Sequence, residues 1–331
     1  MGDGMSTLFE PIVLRGVDIP NRIVLPSMTT RLATAEGAIT AELIRYYEAR
    51  AEGGAGLITV EMCSPAAAGR HRKHELGILH DSFVPGLREL TSRIKAAGAR
   101  AAIQIGHAGG HTREDVTGVP PVAPSALPHQ VQEVDVRTVV PRALTVDGIR
   151  EVVTAFAEAA DRAKRAGFDV VEIHGAHGYL IHSFFSPFSN RRSDAFGGTL
   201  EKRMRFPLLV AEAVRALWPE DKPVFYRASC VDNVPGGVVI EDTVELARAL
   251  RVRGIDLIDC SSSGMSGSLS LSTAKIRPGF QVPYAAAVRK GAGIPTMAVG
   301  AILEPRQAEA ILQDDDADLI ALGRQLMAEP H

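Results

Sequence analysis

Cysteine is scarce: Cys63, Cys230 and Cys260 are the only three, far apart and without a CxxC pair. That spacing argues against a disulfide framework or a local Cys-rich metal or iron–sulfur site, and fits reduced thiols in a cytoplasmic protein. No apolar run approaches the roughly 18–20 residues a membrane span needs, and the polar N-terminus does not read as a signal peptide. An excess of one charge is also missing. The 331 residues carry 36 Lys+Arg against 39 Asp+Glu, a formal net charge of −3. This balance gives no electrostatic case for nucleic acid or an anionic membrane as a partner. Neither GxSxG nor HExxH occurs, so the nucleophile-elbow hydrolases and zincins lack their signatures. No internal repeat or low-complexity segment is visible, and residues 1–331 read as one domain.

What the chain does contain is a recurrent strand–helix alternation. Short Val-, Ile- and Leu-rich runs fall at Arg22–Leu25, Gly56–Val60, Arg100–Ile105, Asp169–Ile173, Pro223–Tyr226, Leu257–Cys260, Thr296–Val299 and Leu319–Leu322. Their near-continuous hydrophobicity is that of strands buried on both faces. Helical patterns lie between them at Ala41–Glu52, Val84–Ala97, Val146–Ala166, Leu200–Leu217, Glu241–Arg253 and Pro305–Gln313. Thr40 and Asp147 are placed to cap helices, and Gly53, Gly98, Gly167 and Gly254 to end them. The pattern predicts an α/β fold, a (β/α)8 TIM barrel. A doubly wound sheet is the rival, but it would ordinarily carry a Gly-rich loop after its first strand, and no GxGxxG occurs. Leu8–Ile19 reads as a hairpin plugging the barrel bottom. The stretch from Gly118 to Arg142 reads as a long loop after strand three, either a lid or a passive surface excursion. Only seven residues follow Gly323-Arg324, so the closing helix is expected to be missing or truncated. The outer faces of strands eight and one would then be exposed, unless the chain is a fragment or another surface covers them.

Barrel active sites form at the carboxyl ends of the strands. Those ends deliver Met28 and Thr29, Glu61 and Met62, Gln104 and His107, His174, Arg227, Ser261–Ser263, Gly300 and Gly323-Arg324. Gly300 with Ala301, and Gly323 with Arg324, suit a phosphate held by backbone N–H groups and a guanidinium, or else two tight turns. Arg227, a charge at the end of a buried strand, needs a ligand or an ion-pair partner. His174 and His177 could ligate a metal, but no third ligand stands at convincing spacing and no metal is expected. They could instead donate hydrogen bonds to an oxygen that gains charge, with Tyr179 two positions on as proton source. His71, His74 and His80 lie in a basic loop that reads as solvated surface.

Five segments make the chain resemble the old yellow enzyme family of FMN-dependent oxidoreductases over essentially Leu8–Pro330. They are LFEPIVLRGVDIPNRIVLPSMTT, YYEARAEGGAGLITVE, AAIQIGHAGG, VEIHGAHGYLIHSFFSPFSNRRSDAFGGTLEKRMRF and ALGRQLMAEP. The resemblance implies noncovalent FMN at the barrel mouth, contacted by Ser27, Met28, Thr29 and Met62. It places Gln104 on the flavin ring, Arg227 at its N1/O2 edge, and Gly300, Ala301, Gly323 and Arg324 on the phosphate. It also implies NADPH or NADH as hydride donor and an enone or related activated alkene as substrate. Hydride would pass through flavin N5 to the β-carbon, with His174 and His177 binding the carbonyl oxygen and Tyr179 protonating the α-carbon. An oxidative flavoenzyme (an amine demethylase or desaturase) and a flavin-binding module needing a partner or further domains are the alternatives. The N-terminal and Gln104 segments resemble the branch with 2,4-dienoyl-CoA reductases and trimethylamine dehydrogenase-like enzymes. The sequence Ser261-Ser262-Ser263-Gly264 lacks the histidine dienoyl-CoA reductases use there, which argues against that substrate. Members of the family are often dimers or larger, so self-association is expected.

Overall fold

The computed structural model describes residues 7–131, 137–265 and 276–331. Eight parallel strands close into a barrel: β3 (Ile23–Leu25), β4 (Leu57–Cys63), β5 (Arg100–Ile105), β10 (Val170–Gly175), β11 (Val224–Ser229), β12 (Leu257–Ser261), β13 (Thr296–Ala298) and β14 (Leu319–Ala321). The ring shuts where β14 pairs with β3, Ile320 against Ile23 and Ala321 against Val24. Strands one to eight thus fall where the hydrophobic runs predict them. Helices between them include α1 (Ala41–Glu52), α2 (Val84–Ala96), α4 (Val146–Ala166), α5 (Leu180–Phe185), α6 (Leu200–Leu217), α7 (Ile240–Val252), α8 (Val282–Ala292) and α9 (Pro305–Gln313). The α8 helix was not predicted. Its buried face is Val282, Ala285, Val288 and Ala292, small residues that give a weak apolar signal.

Two local readings need correction. Thr40 caps α1 as predicted, its hydroxyl accepting the Leu43 N–H at 3.1 Å. The cap of α4 is Thr145, which accepts the Gly148 N–H at 3.0 Å, while Asp147 pairs with Arg150 one turn on. The left-handed residue after α1 is Gly54 (φ +94°), since Gly53 stays right-handed at φ −70°.

The predicted hairpin is present as β1 (Ile12–Leu14) and β2 (Val17–Ile19). Leu14, Val17 and Ile19 pack with Val24, Leu57, Ala102, Val170, Phe225, Leu257, Met297 and Leu319, the apolar lower filling of the barrel. Burying each of the three contributes roughly 1.5–3 kcal/mol, so the plug is held by its own hydrophobic area. Between β5 and α4 the long excursion folds into a short helix, α3 (Glu114–Thr117), and two small strand pairs. These are β6 (Val122–Ala123) with β9 (Arg142–Ala143), and β7 (His129–Val131) with β8 (Arg137–Val139). Residues 132–136 of that predicted loop lie outside the described residues.

The helix after β14 is short, as expected, but the seam beside it is not exposed. The chain after β14 makes α10 (Gly323–Ala328), six residues whose Met327 carbonyl accepts from Arg50 Nη2 at the end of α1. The outward residues Leu25 and Ile320 are 1% and 0% exposed, in one cluster with Leu8 from the turn Thr7–Phe9. Backbone N–H groups of Thr7 and Leu8 are held by Glu309 of α9. The N-terminal turn thus packs into the cluster that buries this seam.

Candidate active site

Inward-pointing residues alternate along each barrel strand. Starting from the apolar floor, β10 turns in Val170, Glu172 and His174; β11, Phe225, Arg227 and Ser229; β12, Leu257, Asp259 and Ser261. The lower layer is hydrophobic and the upper layers are polar, because each strand changes character at its midpoint. Register makes the upper layer continuous: Glu172 stands opposite Gln104, His174 opposite Arg227, and Arg227 opposite Asp259.

A polar chain crosses this layer. The Ser27 hydroxyl donates to Gln104 Oε1 at 3.0 Å, and Gln104 Nε2 donates to Glu172 Oε1 at 2.7 Å. Arg227 pairs through Nε with Asp259 Oδ2 at 2.9 Å and donates from Nη1 to the Ser27 carbonyl at 3.3 Å. Burial pushes the Glu172 carboxyl up to about 8, helped by the negative Asp259 and opposed by Arg227 and Gln104. Burial raises Asp259 too, and Arg227 opposes it. Two buried carboxyls therefore share one guanidinium, and burial resists the ionisation of both while Arg227 favours it. Neither acid was singled out from the sequence, although both keep the two-residue period of Val170 and Leu257.

Above this layer the segment after β10 bends back over the mouth. His177 and Gly178 both adopt left-handed φ, +59° and +79°. A Cβ on Gly178 would fall onto the Gly264 carbonyl and within 2.5 Å of His111 Nε2, so only glycine fits. Ser229 Oγ accepts the His177 N–H at 2.9 Å, and His182 Nδ1 accepts the Gly178 N–H at 2.9 Å. Since Nδ1 of His182 accepts, its Nε2–H is left to face Asp232, 2.9 Å away and fully buried. These contacts fix His174, His177 and Tyr179 in one cluster, with the His174 ring 5.1 Å from His177 and 4.8 Å from Tyr179 between centroids. Burial, then neighbouring positive groups, holds both histidines well below 6.5. Each imidazole is thus neutral near pH 7 and carries one N–H. His177 Nε2 lies 2.7 Å from Ser261 Oγ.

The remaining predicted residues line the rim. Ser27 and Met28 are half-buried and Thr29 exposed in the loop after β3, while Met62 is buried at the end of β4. Gly300 (φ +115°) and Ala301 (φ +53°) form the turn after β13, their carbonyls accepting the Gly279 N–H. Gly323 and Arg324 open α10 after β14, the neighbouring strand, with Arg324 exposed. His107 is buried, its Nδ1 accepting the Gly109 N–H, and burial lowers it to about 4.

His71 requires a correction. It is not a surface histidine: its Nδ1 lies 2.9 Å from the Tyr179 hydroxyl, and burial holds it well below 6.5. Its ring is brought in because the buried Glu75 carboxyl, pushed up to about 8 by burial, accepts the backbone N–H groups of His71 and Arg72 on one oxygen, folding the loop inward. The signal was an acidic residue four positions on, followed by the apolar Leu76. His74 and His80 stay at the surface.

The donor set fits a flavin mononucleotide. His174 Nδ1 and Glu172 Oε2 are buried polar atoms without a hydrogen-bond partner. The Arg227 cation and the Gln104 amide suit an electron-rich heterocycle. The left-handed turn at Gly300 and Ala301, beside the exposed Arg324 after the neighbouring strand, suits a phosphate. All three cysteines are buried, and among the described residues no three His, Cys, Asp or Glu side chains converge as metal ligands. Among the described residues no helix is long and apolar enough to cross a membrane.

Comparison with known proteins agrees. The NADPH dehydrogenase of Geobacillus sp. strain WCH70 is 43% identical over 327 residues, covering 98% of this chain and 92% of that protein. Morphinone reductase in complex with tetrahydroNAD superposes with a TM-score of 0.82 at 31% identity, covering 98% of this chain and 88% of that one. 2-Naphthoyl-CoA reductase, in its complex with 2-naphthoyl-CoA, superposes with a TM-score of 0.91 at 26% identity. There the match covers 98% of this chain but only 51% of the other, so this chain spans about half of that enzyme's length. Residues 7–331 match the model of the NADH:flavin oxidoreductase / NADH oxidase family, and the chain belongs to that family of FMN-dependent, old yellow enzyme-like oxidoreductases, with NADPH or NADH as electron donor.

Proposed function

We propose that this oxidoreductase is an ene-reductase that reduces the C=C bond of α,β-unsaturated carbonyl compounds at the expense of NAD(P)H. The observation that carries the reading is the convergence of His174, His177 and Tyr179 over the Arg227 layer. FMN supplies the two-electron relay between NAD(P)H and the alkene. Arg227 would face its N1/O2 edge, Gln104 and Ser27 would hold its ring, and Met28, Thr29 and Met62 would flank it. Gly300, Ala301, Gly323 and Arg324 would hold its phosphate, within one barrel domain spanning residues 1–331.

His174 and His177 donate N–H bonds to the substrate carbonyl oxygen, the His177 bond replacing the one to Ser261. Because both rings are neutral, they bind an uncharged carbonyl and strengthen as enolate charge develops there, which lowers the barrier. Tyr179 delivers the proton to the α-carbon. The Tyr179→Phe variant tests the assignment. In anaerobic stopped-flow, flavin reduction by NADPH should change little, while flavin reoxidation by 2-cyclohexenone should slow by about 10²-fold or more. Equal slowing of both half-reactions refutes Tyr179 as donor, and flavin bleaching by an amine without NADPH would favour the oxidative alternative.

A further inference from the structure

Tyr179 and His71 meet from different elements: the loop after β10 and the loop Arg70–Glu75 that follows β4. The second loop is tied down on both sides. Glu75 accepts two of its N–H groups from below, and the Thr112 hydroxyl donates to the Arg70 carbonyl at 2.6 Å. The tautomer of His71 follows from its other neighbour. Arg72 Nε approaches the same Nδ1 at 3.2 Å, and an arginine nitrogen can only donate. Nδ1 therefore carries a lone pair, and the Tyr179 hydroxyl, 2.9 Å away, must donate to it as well. In this arrangement the phenolic hydrogen points at His71, away from His174 and the carbonyl site. A tyrosinate formed by proton transfer to carbon would face that bare lone pair, which opposes the transfer.

We propose that His71 is a positioning residue that gates Tyr179. With Nδ1 bare it parks the hydroxyl hydrogen. Once protonated there it gives up the Arg72 N–H, which must turn away, donates to the phenol oxygen, turns the tyrosine's own proton toward the alkene and stabilises the resulting tyrosinate. The inference rests on Tyr179 being the proton donor. One proton passes from Tyr179 Oη to the α-carbon as the hydride equivalent from NAD(P)H arrives at the β-carbon. The tyrosinate then takes the Nδ1 proton of His71, and a solvent proton restores His71, which is half-buried at the rim.

The groups that face His71 set when this happens. Arg72 lies beside it, Arg31 comes from the loop after β3, His111 from the loop after β5, and Tyr179 and His174 from β10 and its loop. Arg72, His111 and Arg31, together with burial, favour the uncharged ring, while Glu75, its own carboxyl pushed up to about 8 by burial, holds the backbone beneath it. Negative charge growing on Tyr179 favours the protonated one, so proton uptake by His71 is coupled to the chemical step.

The test is the pH dependence of the alkene half-reaction in FMN-loaded protein reduced beforehand. 2-Cyclohexenone, which does not ionise, serves as oxidant from pH 5 to 8. In the wild type the reoxidation rate should fall about tenfold per pH unit above an inflection that lies below pH 6.5. His71→Gln keeps an amide in the same place but cannot titrate there, and its profile should lack that limb. His71→Asn is the second variant should the first not retain FMN. A variant slowed equally at every pH, with the wild-type shape kept, overturns the gate and leaves a packing role. So does a wild-type rate independent of pH across this range. Tyr179→Phe separates the two layers of the argument. If it reoxidises as fast as wild type, the donor assignment fails. If it is slow while the wild type lacks the limb, only the gate fails.

Discussion

Replacing Arg227 by Met keeps a long side chain and deletes the charge that Asp259 and Glu172 share. Both carboxyls are buried, 0% and 1% exposed, and Arg227 draws both toward the ionised form against desolvation. Without it, an ionised Asp259 has no counter-charge at 2.9 Å, and the least costly response is to bind a proton. Keeping an ordinary aspartic acid protonated at pH 7 costs about 4 kcal/mol, three pKa units at about 1.4 kcal/mol each. That lies within the roughly 3–5 kcal/mol typical of breaking one side of a buried pair. The sign of the pH dependence follows. A carboxyl whose folded-state pKa is raised above its unfolded value stabilises the fold below the unfolded pKa and loses that contribution as pH rises. The deficit of Arg227→Met should therefore shrink by up to about 1.4 kcal/mol per unit as pH falls from 7 toward 5. Urea denaturation of FMN-free wild type and variant at pH 5, 6 and 7 measures it. A deficit of constant size across the three would refute the shared-charge account.

Two further outcomes follow from local geometry. Gly178→Ala puts a Cβ into the Gly264 carbonyl at φ +79°, so the turn must move; a loss of at least about 2 kcal/mol in thermal or urea stability is expected, with His177 displaced and enone turnover reduced more than FMN binding. Thr145→Ala should cost about 1 kcal/mol and Asp147→Ala no more than a few tenths, because only Thr145 accepts a helix N–H while Asp147 holds an exposed ion pair; equal losses would show that the cap is misassigned.

The barrel was legible because its strands are continuous apolar runs punctuated by caps and glycines, signals that local chemistry writes directly into sequence. Thr40 and the helix Ala41–Glu52 are such a case. The α8 helix escaped because its buried face is largely alanine and valine, and the covered seam because it depends on Leu8, more than 300 positions from Ile320. In the site, His174, His177, Tyr179 and Arg227 were readable as polar residues at strand ends. Glu172 and Asp259 were not: the two-residue period puts them on the inward face, but nothing local places a guanidinium on the neighbouring strand beside them. His71 was missed for the same reason: its loop is basic and looks solvated, and only Glu75, buried beneath it, folds the ring onto Tyr179.

The hairpin plug makes the barrel a vessel with one opening. Leu14, Val17 and Ile19 close its floor with hydrocarbon beneath the Glu172–Asp259–Arg227 layer. An apolar floor disfavours the passage of ions, so the route for proton exchange with that layer is the mouth. A flat ring seated there would be a stopper as well as a reactant, and would slow that exchange for as long as it stayed.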